Sequence, residues 1–206
     1  MAIPVSELQK LTPNSILELF ELQLVEGLHY ATGNPSNVPT LFRFHSGVNM
    51  NNNGNIVWQG NTYQRFPITC EGFEKSGNGK IPRPNLKMAN MGGITRSGSV
   101  ISVTDLLILC NLVTPHNDLL NAKLTRIMVT ADALDNVNFS SGTNPFGTPS
   151  ADELPREIYL INRKVSERRD FVEFELKGDL DKTNLRIPKR QVTRKDFPGV
   201  GTFINS

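Results

Sequence analysis

The chain is poor in the residues that most enzymes and metal proteins concentrate. Its 206 residues include only two cysteines, Cys70 and Cys110, and three histidines, His29, His45 and His116. No Cys-x-x-Cys or His-x-x-x-His pair occurs, so the spacing of a structural zinc site is missing. A disulfide between the two cysteines is allowed but not implied, and the plain reading is two free buried thiols in a reducing compartment. Long apolar runs are also absent. The longest is Leu106–Cys110, far short of a membrane span. The N-terminal MAIPVSELQK has no basic stretch followed by an apolar core. The expectation is therefore synthesis in a cytoplasm, with no secretory leader. Net charge is only +2, too small to define a partner.

What is present suits a globular, β-rich protein. Apolar residues make up 38% and charged residues 20%, which argues against wholesale disorder. The length allows one sizeable domain or two small β modules. Val5–Leu11 predicts a short helix, barred from continuing by Pro13. Ile16–Val25 is ambiguous in period. It is read as a strand because Pro13-Asn14 precedes it and Gly27 follows. Thr40–His45 alternates cleanly. Ile56–Gln59 and Thr62–Phe66 read as a hairpin turning at Gly60-Asn61, followed by strands over Ile68–Glu74 and Asn85–Ala89. Ser102–Leu112 is the main helix, capped by Ser102 or Thr104 and ended by Pro115. Asn121–Thr130 is a strand. Arg156–Ser166 and Asp170–Asp179 form a second hairpin through Glu167–Arg169.

Three polar stretches remain. Ser46–Asn55 is a loop rich in residues that tolerate positive φ. Asn136–Pro155 is a 20-residue polar segment, long for a loop in a compact domain and therefore an expected interaction arm, ordered only in an assembly. Arg186–Lys195 holds five basic residues and no acid. It fits a solvated or partner-facing tail, or a contact with phosphate. With no aromatic residue interleaved, it gives no platform for stacking bases.

The constellations for catalysis are weak. No Gly-x-Ser-x-Gly elbow exists. A thiol dyad of Cys70 or Cys110 with a histidine has no support beyond the residue types. The pairs Asp152-Glu153 and Glu173/Glu175 are explained equally by ion pairs across strands. Gly77-Asn78-Gly79-Lys80 lacks the full phosphate-loop frame and is read as a turn. Asn138-Phe139-Ser140 matches a glycosylation pattern that has no meaning without a secretory route. The reading is no enzyme, with no catalytic, cofactor-binding or metal residue assigned.

The order of short motifs is more specific. Trp58-Gln59-Gly60, Tyr63, Phe66-Pro67-Ile68, Gly72-Phe73-Glu74, Gly77–Lys80, Pro82-Arg83-Pro84 and Leu86-Lys87-Met88-Ala89-Asn90 resemble the lambda-like phage minor tail protein L family. Asp118–Arg126 is similar to that family's "dLvGakVtR"-like run, and the resemblance spans roughly Leu17–Gly199. It implies a mainly β fold with one or two short helices, built as antiparallel barrel or sandwich modules of the tail-tube type. Residues 1–180 would form the hub region, with a basic extension over 181–206.

It also implies a structural role in the virion. The chain would be an adaptor in the tail-tip baseplate hub, joining the distal tube to the central fibre or host-recognition protein. It would assemble as a homotrimeric ring beside other tail proteins, with transient contact to passing DNA. The alternatives are a basic nucleic-acid-contacting assembly protein and, more remotely, a hydrolase. The family's cysteine-rich C-terminal domain, which binds an iron–sulfur cluster, is not carried over. A cluster needs about four thiolates, and Cys70 and Cys110 do not supply them. The chain is expected to be a truncated or minimal member, or to rely on a separate protein for that part.

Overall fold

The computed structural model describes residues 3–33, 40–47, 54–74, 77, 81–96, 99–178, 181, 192–195 and 197–201. Its strands are β1 (Ile16–Gln23), β2 (Leu41–His45), β3 (Ile56–Trp58), β4 (Asn61–Arg65), β5 (Ile68–Glu71), β6 (Asn85–Ala89), β7 (Ile94–Arg96), β8 (Ser99–Ile101), β9 (Lys123–Thr130), β10 (Glu157–Glu167) and β11 (Phe171–Gly178). Two α-helices, α1 (Val5–Leu8) and α2 (Val103–Val113), accompany them. Short 3-10 turns cover Ala131–Ala133 and Asn136–Asn138. The mainly β class expected from the sequence is the class observed.

Nine strands form one sheet in the order β3-β4-β2-β1-β9-β10-β11-β6-β5, and β7-β8 form a separate hairpin. All pairings are antiparallel except β2 with β4, which run parallel over Phe44↔Gln64 and His45↔Arg65. Chain length forces this sheet to curl. If it were flat, seven strand spacings of about 4.8 Å would separate β4 from β5 by roughly 34 Å. Yet only Phe66 and Pro67 join them, and three Cα steps reach at most about 11 Å. The sheet therefore rolls into an open barrel. Its ladder is broken between β4 and β5, and the chain itself crosses the gap. Phe66 donates its N–H to His45 O (3.0 Å), and Pro67 O accepts from Ala89 N–H (3.0 Å), so the crossing is stitched to both sides.

Alternation decides what fills the barrel. Phe20, Leu22, Phe42, Phe44, Leu124, Ile161, Phe174, Leu86 and Met88 point inward from six strands. The helix α2 adds Val103, Leu106, Leu107 and Cys110 to the same core. Ser102 caps it with a reciprocal capping box. Its hydroxyl accepts from Asp105 N–H (3.1 Å), while Asp105 accepts from Ser102 N–H (2.9 Å). A second, smaller core lies on the outer face, where Leu19, Ile127 and Val129 meet Ile56, Trp58, Tyr63 and Leu134. Trp58, Tyr63 and Phe66 are all buried, but they do not share one face. Trp58 and Tyr63 belong to the outer core and Phe66 to the inner one. Tyr63 and Phe66 are three residues apart, an odd separation that the alternation of a strand places on opposite faces.

Several boundaries differ from expectation. The first helix is a single turn, Val5–Leu8. The β3-β4 hairpin turns at Gln59-Gly60, one residue earlier than read. Both residues have positive φ (50° and 71°), the geometry of a tight primed turn. The β7-β8 hairpin was not foreseen.

Candidate assembly surfaces

The segment after β9 is not an open arm. It is fastened across the outer core by asparagine side chains. Asn138 Oδ1 accepts from Val57 N–H (2.7 Å), and Asn138 Nδ2 donates to Val57 O (2.6 Å). Asp135 accepts from the N–H groups of Gln59 (3.1 Å) and Gly60 (2.7 Å), holding the β3-β4 turn. Buried Asn144 donates to the carbonyls of Ala131, Asp132 and Leu134, each at 3.0 Å, and accepts from Phe146 N–H (2.9 Å). Gly147 lies so close to Asp132 that an added Cβ would sit 2.8 Å from Asp132 Cβ. The expectation of a segment ordered only in an assembly is thus corrected. The side chains supply the partners that a loop backbone lacks. The signal was visible as Asp135, Asn138 and Asn144-Pro145, residues suited to local backbone bonding.

Of the loop at Ser46–Asn55, residues 48–53 lie outside the described residues. Its two ends are held by buried His45. His45 Nδ1 accepts from Gly47 N–H (3.2 Å), which leaves Nε2 to carry the proton and donate to Gly54 O (2.7 Å). Burial lowers the pKa of His45 and favours this neutral form. His29 is also buried and accepts from Val25 N–H at Nδ1 (2.9 Å), and its pKa is lowered by the same cause. His116 sits in a strained connection. His116, Asp118, Leu119 and Asn121 all have φ between 45° and 64°. Asn111 and Asp118 bond reciprocally there, and Asn117 Nδ2 donates to Leu28 O (2.8 Å).

Of the carboxylates weighed for chemistry, Glu153 and Glu175 are held in ion pairs. Glu153 is buried and takes both bonds from Arg156 Nε (3.0 and 2.9 Å). Glu175 accepts from Arg163 and Asn162, and the Arg163 hydrogen bond holds its carboxyl below the usual range. Arg126 bridges Glu18 and Glu157 at the edge of the inner core, with the Phe73 ring 4.2 Å from its guanidinium carbon. Burial opposes its charge, but the bonds to both carboxylates outweigh that and raise its pKa.

The cluster that the family resemblance brings to mind does not fit these residues. Cys110 points from α2 into the inner core, and Cys70 packs against that core from β5. Burial pushes the Cys70 thiol up to about 12, away from the thiolate a cluster needs. Among the described residues, no three His, Cys, Asp or Glu side chains are grouped to hold a metal ion. No described helix is long and apolar enough to cross a membrane.

Two surfaces remain for contact with other molecules. The basic stretch is exposed at Val192–Lys195, while 186–191 lie outside the described residues. Of Gly77–Lys80, only Gly77 is described. The outward side of α2 is apolar, with Ile108, Leu109, Leu112 and Val113 exposed.

The family described as phage minor tail protein L matches over residues 36–198. The tail tip protein L of Escherichia phage lambda is 30% identical over 101 residues, covering 49% of this chain and 37% of that protein. The chain thus matches well under two thirds of that relative. The family match itself runs from ahead of β2, through the barrel and α2, and past β11. On that span, the chain belongs to the phage minor tail protein L family and is a structural protein of a phage tail.

Proposed function

We propose that the chain is an adaptor of the tail-tip hub. It joins the distal end of the tail tube to the central fibre or host-recognition protein, as a homo-oligomeric ring with three copies favoured. The observation that carries this reading is the family match over residues 36–198, which takes in nearly the whole barrel and α2. The lambda relative's name, tail tip protein L, supports the tip over the shaft. The mechanism is geometric. A barrel filled on both faces, with its outer segment fastened by Asn138 and Asn144, is a rigid block. Rigid blocks repeated by rotation give a closed ring with the same heterologous contact at every joint. Residues 1–180 supply the block, and 181–206 supply a basic extension that reaches a neighbouring subunit.

The test is genetic and biochemical. A stop codon early in the gene should give lysates with heads but no infectious tails, and the full chain supplied in trans should restore plaques. Infectious particles formed without the chain would defeat the reading. A purified chain that bound duplex DNA, with affinity falling steeply as salt rises, would move the basic extension to a nucleic-acid role.

A further inference from the structure

The helix α2 carries apolar side chains on its outer side as well as its inner one, and this is the feature the hub reading leaves unused. Its inward residues Val103, Leu106, Leu107 and Cys110 seal the core. Its outward residues Ile108, Leu109, Leu112 and Val113 are exposed, Leu112 to 77%. They form two adjacent i, i+4 rows. A contiguous exposed apolar patch with a polar border marks a contact with another molecule. A polar rim of Asn111, Asp118 and Lys164 borders it, as at a protein interface.

The same chain carries a second uncovered apolar ridge. Ile3, Val5, Leu8 and Leu11 are exposed, and the last three recur every third residue. Their backbone is already fixed. Leu8 N–H donates to Pro4 O (3.0 Å) and Gln9 N–H to Val5 O (3.1 Å). Buried Glu7 anchors the turn by accepting from Asn14 Nδ2 (3.0 Å) and by its ion pair with Lys10. The segment is thus ordered without any apolar cover, which is the arrangement of a preformed ligand.

Both ridges are exposed in the folded chain, so they do not cover each other. The N-terminal ridge joins β1 at Ile16. The C-terminal end of α2 is fastened beyond the other end of β1, through Asn117 to Leu28. The seven rises from Ile16 to Gln23 separate the two ends of β1 by roughly 23 Å. Unlike patches at opposite ends of a rigid block make a heterologous contact, not a self-matching one.

We propose that the outer side of α2 docks the N-terminal ridge, residues 3–11, of a second copy of this chain. This rests on the ring reading above and names its joint. The two ridges suit a contact made through spaced aliphatic anchors.

The test uses the full chain and two variants at exposed positions, Leu112→Lys and Leu8→Lys. Circular dichroism melts check that both fold like the wild type. Sedimentation velocity at tens of micromolar should show the wild type as an oligomer and each variant alone as a monomer. Mixed in equal amounts, the variants retain one intact α2 and one intact N-terminal ridge between them. The mixture should therefore form a dimer and nothing larger. A mixture that stays monomeric, or variants that associate like the wild type, would overturn the contact. So would loss of association on Phe197→Ser with Leu8→Lys unaffected, which would make the C-terminal segment the occupant. A monomeric wild type that still restores plaques overturns this joint and leaves the tail-tip reading standing.

Discussion

The carboxamide of Asn138 stands where a neighbouring strand would stand beside Val57. It accepts from Val57 N–H at 2.7 Å and donates to Val57 O at 2.6 Å. Strand β3 is an edge of the nine-stranded sheet, and an edge with free backbone groups invites pairing with another chain. One side chain therefore both fastens the segment after β9 and closes that edge.

Replacing Asn138 with Ala removes both bonds while the segment still covers Val57. A loss of about 2–3 kcal/mol is expected, since unpaired shielded backbone groups cost about 1–3 kcal/mol each. Urea unfolding measures it. A drop below 0.5 kcal/mol would mean that water replaces the amide freely.

Stability should fall on mild acidification. His29 and His45 are held neutral in the fold, with pKa values lowered from 6.5 by burial. Above about 6.5 both contribute fully. Below it the unfolded chain takes up protons before the folded chain does, so stability drops as pH approaches the lowered folded values. Urea midpoints from pH 7.5 to 5.5 should decline, and His45→Gln should flatten the slope. An unchanged slope in that variant would remove His45 from the account.

Arg126 holds Glu18 and Glu157 together at the core edge. Arg126→Leu leaves two carboxylates facing each other without a cation. The expected cost is about 2–3 kcal/mol, below that of a fully buried pair because Glu18 is more than a third exposed. Adding Glu157→Gln should recover part of it, read as coupling in a double-mutant cycle.

Asn121 has φ +64°, and it stands where the family run carries glycine. Left-handed backbone is open to glycine, tolerated by asparagine and costly for alanine. Asn121→Gly should be neutral or slightly stabilising, and Asn121→Ala should cost about 1 kcal/mol. Thermal melts of the pair decide it, and equal melts would show that the turn relaxes.

Most of the strands were legible because their alternation is local. Val172, Phe174 and Leu176 face inward and Phe171, Glu173 and Glu175 outward, as period two requires. The helix α2 was legible from Ser102 and Pro115. The parallel β2-β4 pairing and the order of nine strands were not, because they depend on contacts between distant segments. The rolled barrel follows only once β4 and β5 are known to lie at opposite ends of the ladder yet two residues apart. The 136–155 segment was misread because composition marks a loop. The bonds that fix it run from Asn138 back to Val57, 81 residues earlier in the chain. The interaction surface on α2 was half legible. The run Leu106–Cys110 marks the helix as apolar, and the outward row is distinguished only when burial separates Leu106 and Leu107 from Ile108 and Leu112.

The central claim is a place at the tip of a phage tail, and labelling it there is the most direct measurement. Purified virions are incubated with gold-tagged antibody raised against this chain and imaged by electron microscopy. The account predicts gold at the distal end of the tail and nowhere else, with a copy number per particle divisible by three from quantitative mass spectrometry. Gold along the shaft or on the head, or a virion free of the chain, would contradict it.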